Sequence, residues 1–364
     1  MSRAEDEKFM RLALREAARG IGRTSPNPAV GAVLVKAGRV IAKGWHRGAG
    51  RPHAEIEALK KLRTPALARG ATLYVTLEPC STHGRTPPCT DAIAGAGIAR
   101  VVAGATDPNP RHAGCGFSIL RKAGIRVTSG VLAAECAALN PGFNKWITTG
   151  MPLVTAKAGL SLDGRFTRAP GHGQWLTSPQ ARADAMRLRV NVDAILIGAE
   201  TLRADNPRLT LRGLPGGPRT QPWRVVLTRS GRLPKQAHLF KDEHRARTLV
   251  YRGKPLRFVL HDLARRGCTS VMIEGGAALL GAAFDSRVID LVHFYFAPIL
   301  AGGPNVLGGR GAATLAESVV LENAHYRRIG PDILLTGEVV YPAKESIPRT
   351  PARHDMPAAT SASE

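Results

Sequence analysis

A histidine, a glutamate and two cysteines lie close enough along the chain to form one reactive centre: His53-Ala54-Glu55, then Pro79-Cys80, then Cys89. One imidazole with two thiolates is a borderline-soft donor set suited to zinc, and three protein ligands leave the fourth tetrahedral position for water. That is the pattern of a catalytic rather than a structural zinc site. Glu55 cannot share a regular helix face with His53, because residues two apart point roughly 200° from each other. The pair must therefore sit at a helix start, and Pro52 just before it fits that place. Cys89 is expected to open a helix, where the dipole favours the thiolate that zinc needs. A hydroxide with a carboxylate beside it can attack an amidine carbon and hand the proton to departing ammonia, which is deamination. His83 is a rival ligand by proximity, but His53 and the thiolate pair already complete a site. Cys115, Cys136 and Cys268 are expected to pack as small apolar residues.

A second candidate centre is Val271-Met272-Ile273-Glu274-Gly275-Gly276, a strand ending in two glycines, followed by the helical Ala277-Ala278-Leu279-Leu280. Backbone N–H groups at such a helix start can approach an anion closely. A tight structural turn explains the same residues equally well, and the G-x-G-x-x-G dinucleotide fingerprint is absent.

The elements that must position these residues fall into two α/β runs. In the first, Glu5 to Arg19 has helical spacing, Ala29 to Val35 and Arg39 to Ala42 read as a hairpin, and Thr72 to Leu77 reads as a strand. Helices at His53–Leu62, Cys89–Gly97 and Gly116–Ala123 alternate with strands at Arg100–Gly104 and Ile125–Thr128, which implies a three-layer domain over residues 1–146. Turn-rich Asn140-Pro141-Gly142 and Thr149-Gly150-Met151-Pro152 separate it from a second domain over 147–341. There, strands are expected near residues 153, 194, 224, 248, 270 and 291, with helices at Pro179–Val190, Pro255–Arg266 and Gly276–Phe284. Residues 342–364 carry four prolines and no aromatic residue, so a disordered tail is expected.

Lys and Arg number 51 against 28 Asp and Glu, a balance of 51 − 28 = +23 that favours anionic partners, either nucleic acid or phosphorylated small molecules. No basic block interleaved with aromatics marks a strand-binding groove. The odd cysteine count of five argues against a disulfide framework. The charged N-terminus is no signal peptide, and the apolar stretch from Val288 to Leu300 is broken by Asp290 and His293 and too short to span a bilayer. A cytoplasmic protein is expected, with no membrane and no nucleic-acid partner, and assembled as a homo-oligomer.

His-x-Glu with Pro-Cys and a second cysteine is the signature of zinc nucleobase deaminases, although eight residues rather than two separate Cys80 from Cys89 here. Pro26-Asn27-Pro28-Ala29-Val30-Gly31, His53-Ala54-Glu55 and Thr76-Leu77-Glu78-Pro79-Cys80 through Gly84-Arg85-Thr86-Pro87-Pro88-Cys89 closely resemble the deaminase half of the bacterial bifunctional riboflavin-biosynthesis deaminase-reductases. Lys157 through Arg165, Gln174 through Ser178, and Thr201-Leu202-Arg203-Ala204-Asp205-Asn206-Pro207 resemble the reductase half. The resemblance implies a cytidine-deaminase-like domain followed by a dihydrofolate-reductase-like one, with Zn2+ and NADPH as cofactors and phosphoribosyl-pyrimidines as substrates. It further implies that Asn27, His46, Arg85 and Thr86 contact the deaminase substrate. NADPH would meet Leu160, Trp175, Thr201, Asp205 and a turn from Gly276 to Gly281. Thr177, Arg189, Leu209, Arg212 and Glu274 would meet the reductase substrate, the arginines at its phosphate. The alternative is a tRNA-type deaminase whose basic second half binds RNA.

Overall fold

The computed structural model describes residues 2–82, 87–165, 175–213, 220–302, 305 and 307–343. Arg85, Thr86 and His83 lie outside the described residues, as does the expected tail from residue 344 onward. Two sheets organise the chain, and their central strands are buried on both faces between layers of helices.

The first sheet contains β1 (Gly31–Lys36), β2 (Arg39–Trp45), β3 (Thr72–Leu77), β4 (Arg100–Ala105) and β5 (Arg126–Thr128), ordered β2-β1-β3-β4-β5. β1 is antiparallel to β2 and β3, whereas β3, β4 and β5 run parallel. Its helices are α1 (Arg3–Ala18), α2 (Ala54–Lys60), α3 (Cys89–Gly95), α4 (Cys115–Lys122) and α5 (Ala133–Ala138). Ser2 and Glu5 form a capping box that starts α1. Phe9, Met10 and Ala13 of α1 pack on Val33, Tyr74 and Val102 on one face, while Ala54, Ala58, Ile93 and Leu120 cover Leu34, Leu73 and Val101 on the other.

Two glycines bring helices onto the site. A Cβ at Gly44 would lie 2.2 Å from the Ala54 carbonyl, and one at Gly116 would lie 2.2 Å from that of Pro79. Any side chain there would push α2 or α4 away from the residues that carry the chemistry.

α6 (Pro141–Thr149) follows, with Pro141 at its first position. The sequence marks turns on both sides of this segment, but between them proline's fixed φ starts a helix. Position 147 falls inside it. The second sheet takes β6 (Leu153–Ser161), β7 (Ala194–Gly198), β8 (Trp223–Thr228), β9 (Thr248–Arg252), β10 (Ser270–Ile273), β11 (Leu291–Ala297), β12 (Val320–Ile329) and β13 (Asp332–Val340), ordered β12-β13-β11-β6-β10-β7-β8-β9. From β11 to β9 neighbours are parallel, and β13 and β12 close the far edge antiparallel.

α7 (Pro179–Leu188), α8 (Ala199–Asp205), α9 (His238–Lys241), α10 (Leu256–Arg265) and α11 (Ala277–Asp285) complete this half. α10 and α11 bury Leu256, Val259, Leu263 and Leu280 against Val154, Ala156 and Ile273, and the opposite face packs Ile195, Ile197 and Met272 with Leu202, Leu209 and Leu239. The sequence reading misses α5, α8 and the β12-β13 hairpin; β12 is exposed over most of its length, so it lacks the buried alternation that marks a strand. Cys136 and Cys268 are buried as expected, but Cys115 is exposed because it opens α4 directly after the left-handed Gly114.

Candidate active sites

The first centre joins the starts of two helices to the end of a strand. His53 is the N-cap of α2 with extended backbone (φ −70°, ψ 167°), so residues 53–55 escape helical spacing and both His53 and Glu55 line one cavity of about 470 Å³. Cys80 follows β3, and Cys89 is the first residue of α3. His53 Nδ1 lies 3.4 Å from Cys80 Sγ and 3.3 Å from Cys89 Sγ, and the three donor atoms all lie within 4.8 Å of one another. Tetrahedral zinc, with Zn–S about 2.3 Å and Zn–N about 2.0–2.1 Å, separates N from S by about 3.6 Å, so the residues present fit the ion.

The electrostatics suit a dication. The hydrogen bond with Cys89, reinforced by His53 and the Cys89 backbone N–H at 3.3 Å, holds the Cys80 thiol well below its usual range. Cys89 is pushed up, chiefly by sharing its hydrogen bond with Cys80 and then by burial, as two adjacent thiols titrate as a pair. Burial raises the Glu55 carboxyl, which is only 3% exposed. A carboxyl raised in this way holds its proton more readily than an exposed one, as a group that passes a proton between water and a leaving amine must.

Burial pushes the His46 imidazole down and so favours its neutral form, with Nδ1 3.0 Å from the Pro52 carbonyl and Nε2 3.1 Å from Asn27 Nδ2. The Pro52 acceptor fixes the proton on Nδ1, so Nε2 accepts from the Asn27 amide and orients it in the cleft. Asn27 and His46 are thus brought together with the zinc donors. Glu78, next to them in sequence, is a structural pin: its carboxylate accepts the backbone N–H groups of Asp107, Gly114, Gly116 and Phe117 at 2.9–3.3 Å.

In the second half, Arg189 and Glu274, expected as separate substrate contacts, form a bidentate pair: Nε–Oε1 2.7 Å and Nη2–Oε2 2.8 Å. Burial alone would raise the Glu274 carboxyl, but Arg189 and then Lys157 outweigh it and hold it down at about 2. Lys157 itself is lowered by burial. Arg212 is exposed and lowered by desolvation and by the like charges of Arg189 and Arg208, so three guanidiniums share one region.

Thr201 Oγ1 accepts the N–H of Gly276, which is the N-cap of α11. Asp205 ends α8, and Thr177 lies under Gly159. Trp175 is 60% exposed, with the Arg182 guanidinium 5.1 Å from its ring. Leu160 and Leu209 send their side chains into the core, which leaves only their main chains for ligands. Residues 277–285 form the helix expected at Gly276–Phe284, so the stretch from Gly276 to Gly281 is the start of α11 and not a separate turn, and a Cβ at Gly281 would lie 1.9 Å from the Gly308 carbonyl.

Residues 3–105 match the family model for the cytidine and deoxycytidylate deaminase zinc-binding region, and residues 152–335 match that for the RibD C-terminal domain. The riboflavin biosynthesis protein RibD of Bacillus amyloliquefaciens is 40% identical, covering 91% of this chain and 95% of the relative. That of Escherichia coli K12 is 39% identical, covering 91% and 98%. The chain belongs to the RibD family.

Among solved structures, RibD of Acinetobacter baumannii superposes with a TM-score of 0.87 at 36% identity, covering 93% of this chain and all of that one. A diaminohydroxyphosphoribosylaminopyrimidine deaminase/5-amino-6-(5-phosphoribosylamino)uracil reductase from Thermotoga maritima gives 0.84 at 33% identity, again covering 93% and 100%. This RibD-family chain is therefore a bifunctional deaminase-reductase of riboflavin biosynthesis, using zinc in its cytidine-deaminase-like half and NADPH in its dihydrofolate-reductase-like half. The start of α11 fits a phosphorylated cofactor: Gly275 and Gly276 keep side chains away, and its first turn holds no acidic residue. No helix among the described residues is long and apolar enough to cross a membrane.

Sequence reasoning misses Asp107 and Phe143, which line the first cleft, and Lys157, which faces Glu274. Lys157 opens the segment that resembles the reductase half, and that position was its only signal in the sequence; Phe143 has no motif to betray it.

Proposed function

We propose that the first centre hydrolyses the amino group of 2,5-diamino-6-(5-phosphoribosylamino)pyrimidin-4(3H)-one, and that the second reduces the ribosyl group of 5-amino-6-(5-phosphoribosylamino)uracil to ribityl with NADPH. The observation that carries this reading is one chain holding the His53/Cys80/Cys89 donor set beside buried Glu55, followed by the Lys157, Arg189 and Glu274 cluster. Zinc supplies Lewis acidity that makes water nucleophilic near neutral pH. Glu55 takes a proton from the attacking water and returns it to the departing amine nitrogen, while Asn27 and His46 hold the ring edge. Arg85 and Thr86 complete the contacts to this substrate.

NADPH would supply the hydride for C1′ of the opened sugar, and a proton from solvent on the adjoining nitrogen completes the gain of two hydrogens. Leu160, Trp175, Thr201, Asp205, Gly276 and Gly281 form the cofactor side, the leucine by its main chain and Gly281 by letting Gly308 approach. Thr177, Leu209 and Glu274 face the substrate, and Arg212 receives its phosphate together with the N–H groups of Arg189 left over from Glu274 and from the Thr210 carbonyl, to which Arg189 Nη1 donates at 3.3 Å. The unit boundary lies near residue 147 within α6, and residues 342–364 belong to neither half. The protein acts on small molecules in the cytoplasm, consistent with five free cysteines, and needs neither nucleic acid nor membrane. A homo-oligomer is supported by edge strand β12, which exposes Val320 and Tyr326 beside Ile333 of β13.

Incubation of the purified protein with the diaminopyrimidine phosphate tests this reading. Mass analysis should show exchange of NH for O without NADPH, and a further gain of two hydrogens with it. Recovery of unchanged substrate from zinc-loaded protein would refute it.

A further inference from the structure

The deaminase cleft is not built by the first sheet alone. Phe143 lines it together with His53, Glu55 and Cys80, yet belongs to α6, whose neighbouring side chains grip the reductase half. The Lys145 ammonium donates to the Asp290 carboxylate at 2.7 Å, and the Trp146 indole N–H donates to the Ala264 carbonyl at 3.2 Å. Gly142 lies so close to β10 that a Cβ there would meet the Thr269 carbonyl at 3.0 Å.

At the other end, the Asn140 side chain clasps Ala29 through both its N–H (2.7 Å) and its C=O (2.9 Å), two residues beyond Asn27. Phe143 and Asn27 are therefore fixed relative to each other by one short segment anchored on the second sheet. The Phe143 ring is further braced by Trp146, with centroids 6.4 Å apart.

We propose that Phe143 is a specificity residue of the deaminase, packing its ring on the flat pyrimidine while Asn27 and His46 read the ring edge. Among the described lining residues it is the only Phe, Tyr or Trp, and it is half-buried, with ring surface left to cover. A planar heterocycle bound only through edge hydrogen bonds would be loosely placed, and an aromatic face removes that freedom. The deaminase site is thus completed by the helix that joins the two halves and is braced on the second. This inference rests on the deaminase reading above.

Phe143 and Asn27 also line a cavity of about 310 Å³ between the two halves, so a plain filling role is the competing account. The test uses the full zinc-loaded chain, with the parent's ammonia release establishing the deaminase reading first. Phe143→Ala should raise the deaminase KM about tenfold, the equivalent of about 1.4 kcal/mol. Its kcat should stay within about threefold, zinc should remain at one per chain, and the reductase KM for the deaminated intermediate and for NADPH should be unchanged. Phe143→Tyr should restore the parent KM and Phe143→Leu should not; these two variants carry the test if the alanine variant fails to fold. A parent-like deaminase KM in folded Phe143→Ala or in Phe143→Leu would overturn the proposal, as would parallel loss of both activities.

Discussion

Arg189 and Glu274 stand 85 positions apart and meet in a two-pronged ion pair on the reductase sheet, with only 13% and 12% of their side chains exposed. Removing one partner leaves a buried charge unpaired, which costs far more than a surface ion pair. Arg189→Ala should therefore cut reductase kcat/KM by about a hundredfold or more, with ammonia release unchanged. Separate assays of NADPH oxidation and ammonia release on the same sample check this, and equal loss in both would argue against independent sites.

The same pair sets an acid limit on stability. Glu274 sits at about 2 in the folded chain against an ordinary 4.5, so its contribution is present above about 4.5 and lost as pH falls toward 2. The Tm advantage of the parent over Arg189→Ala should shrink across that interval. An advantage that is constant or growing on acidification would contradict the assignment.

Cys80→Ser should lose zinc and ammonia release while reducing the deaminated intermediate at the parent rate, because all three metal donors lie in the first half. Metal analysis alongside both assays decides it. Full zinc occupancy in the variant would remove Cys80 from the site.

Glu55→Gln should keep zinc, since the carboxylate is not a donor, and lose ~10²–10⁴-fold in deamination. Its reductase activity should match the parent. Loss of both activities in a folded, zinc-loaded variant would point to one shared site.

Gly281→Ala places a methyl 1.9 Å from the Gly308 carbonyl, and backbone on both sides must then shift. Overpacking of this kind costs about 1–3 kcal/mol. A lower Tm and weaker NADPH binding are expected, by scanning calorimetry and cofactor titration; parent-like values for both would show that the approach of Gly308 is unimportant.

The clustering of His53, Cys80 and Cys89 beside Glu55 was legible from sequence because few residue types can perform that chemistry, and because Pro52 and the two-residue step from His53 to Glu55 demand a helix start. Most of the parallel strands were legible for a related reason: strands buried on both faces read as short apolar runs, as Ser270–Ile273 does. Tertiary structure alone decided which charged residues meet. Arg189 reads equally well as a free phosphate ligand or as Glu274's partner, since nothing local distinguishes an arginine that will find a carboxylate across a sheet. It also decided that Pro141–Thr149 is a helix delivering Phe143 to the deaminase cleft, and that Gly281 serves packing inside α11. Those outcomes depend on contacts between segments distant in sequence, whose geometry the sheet order fixes and local propensity does not encode.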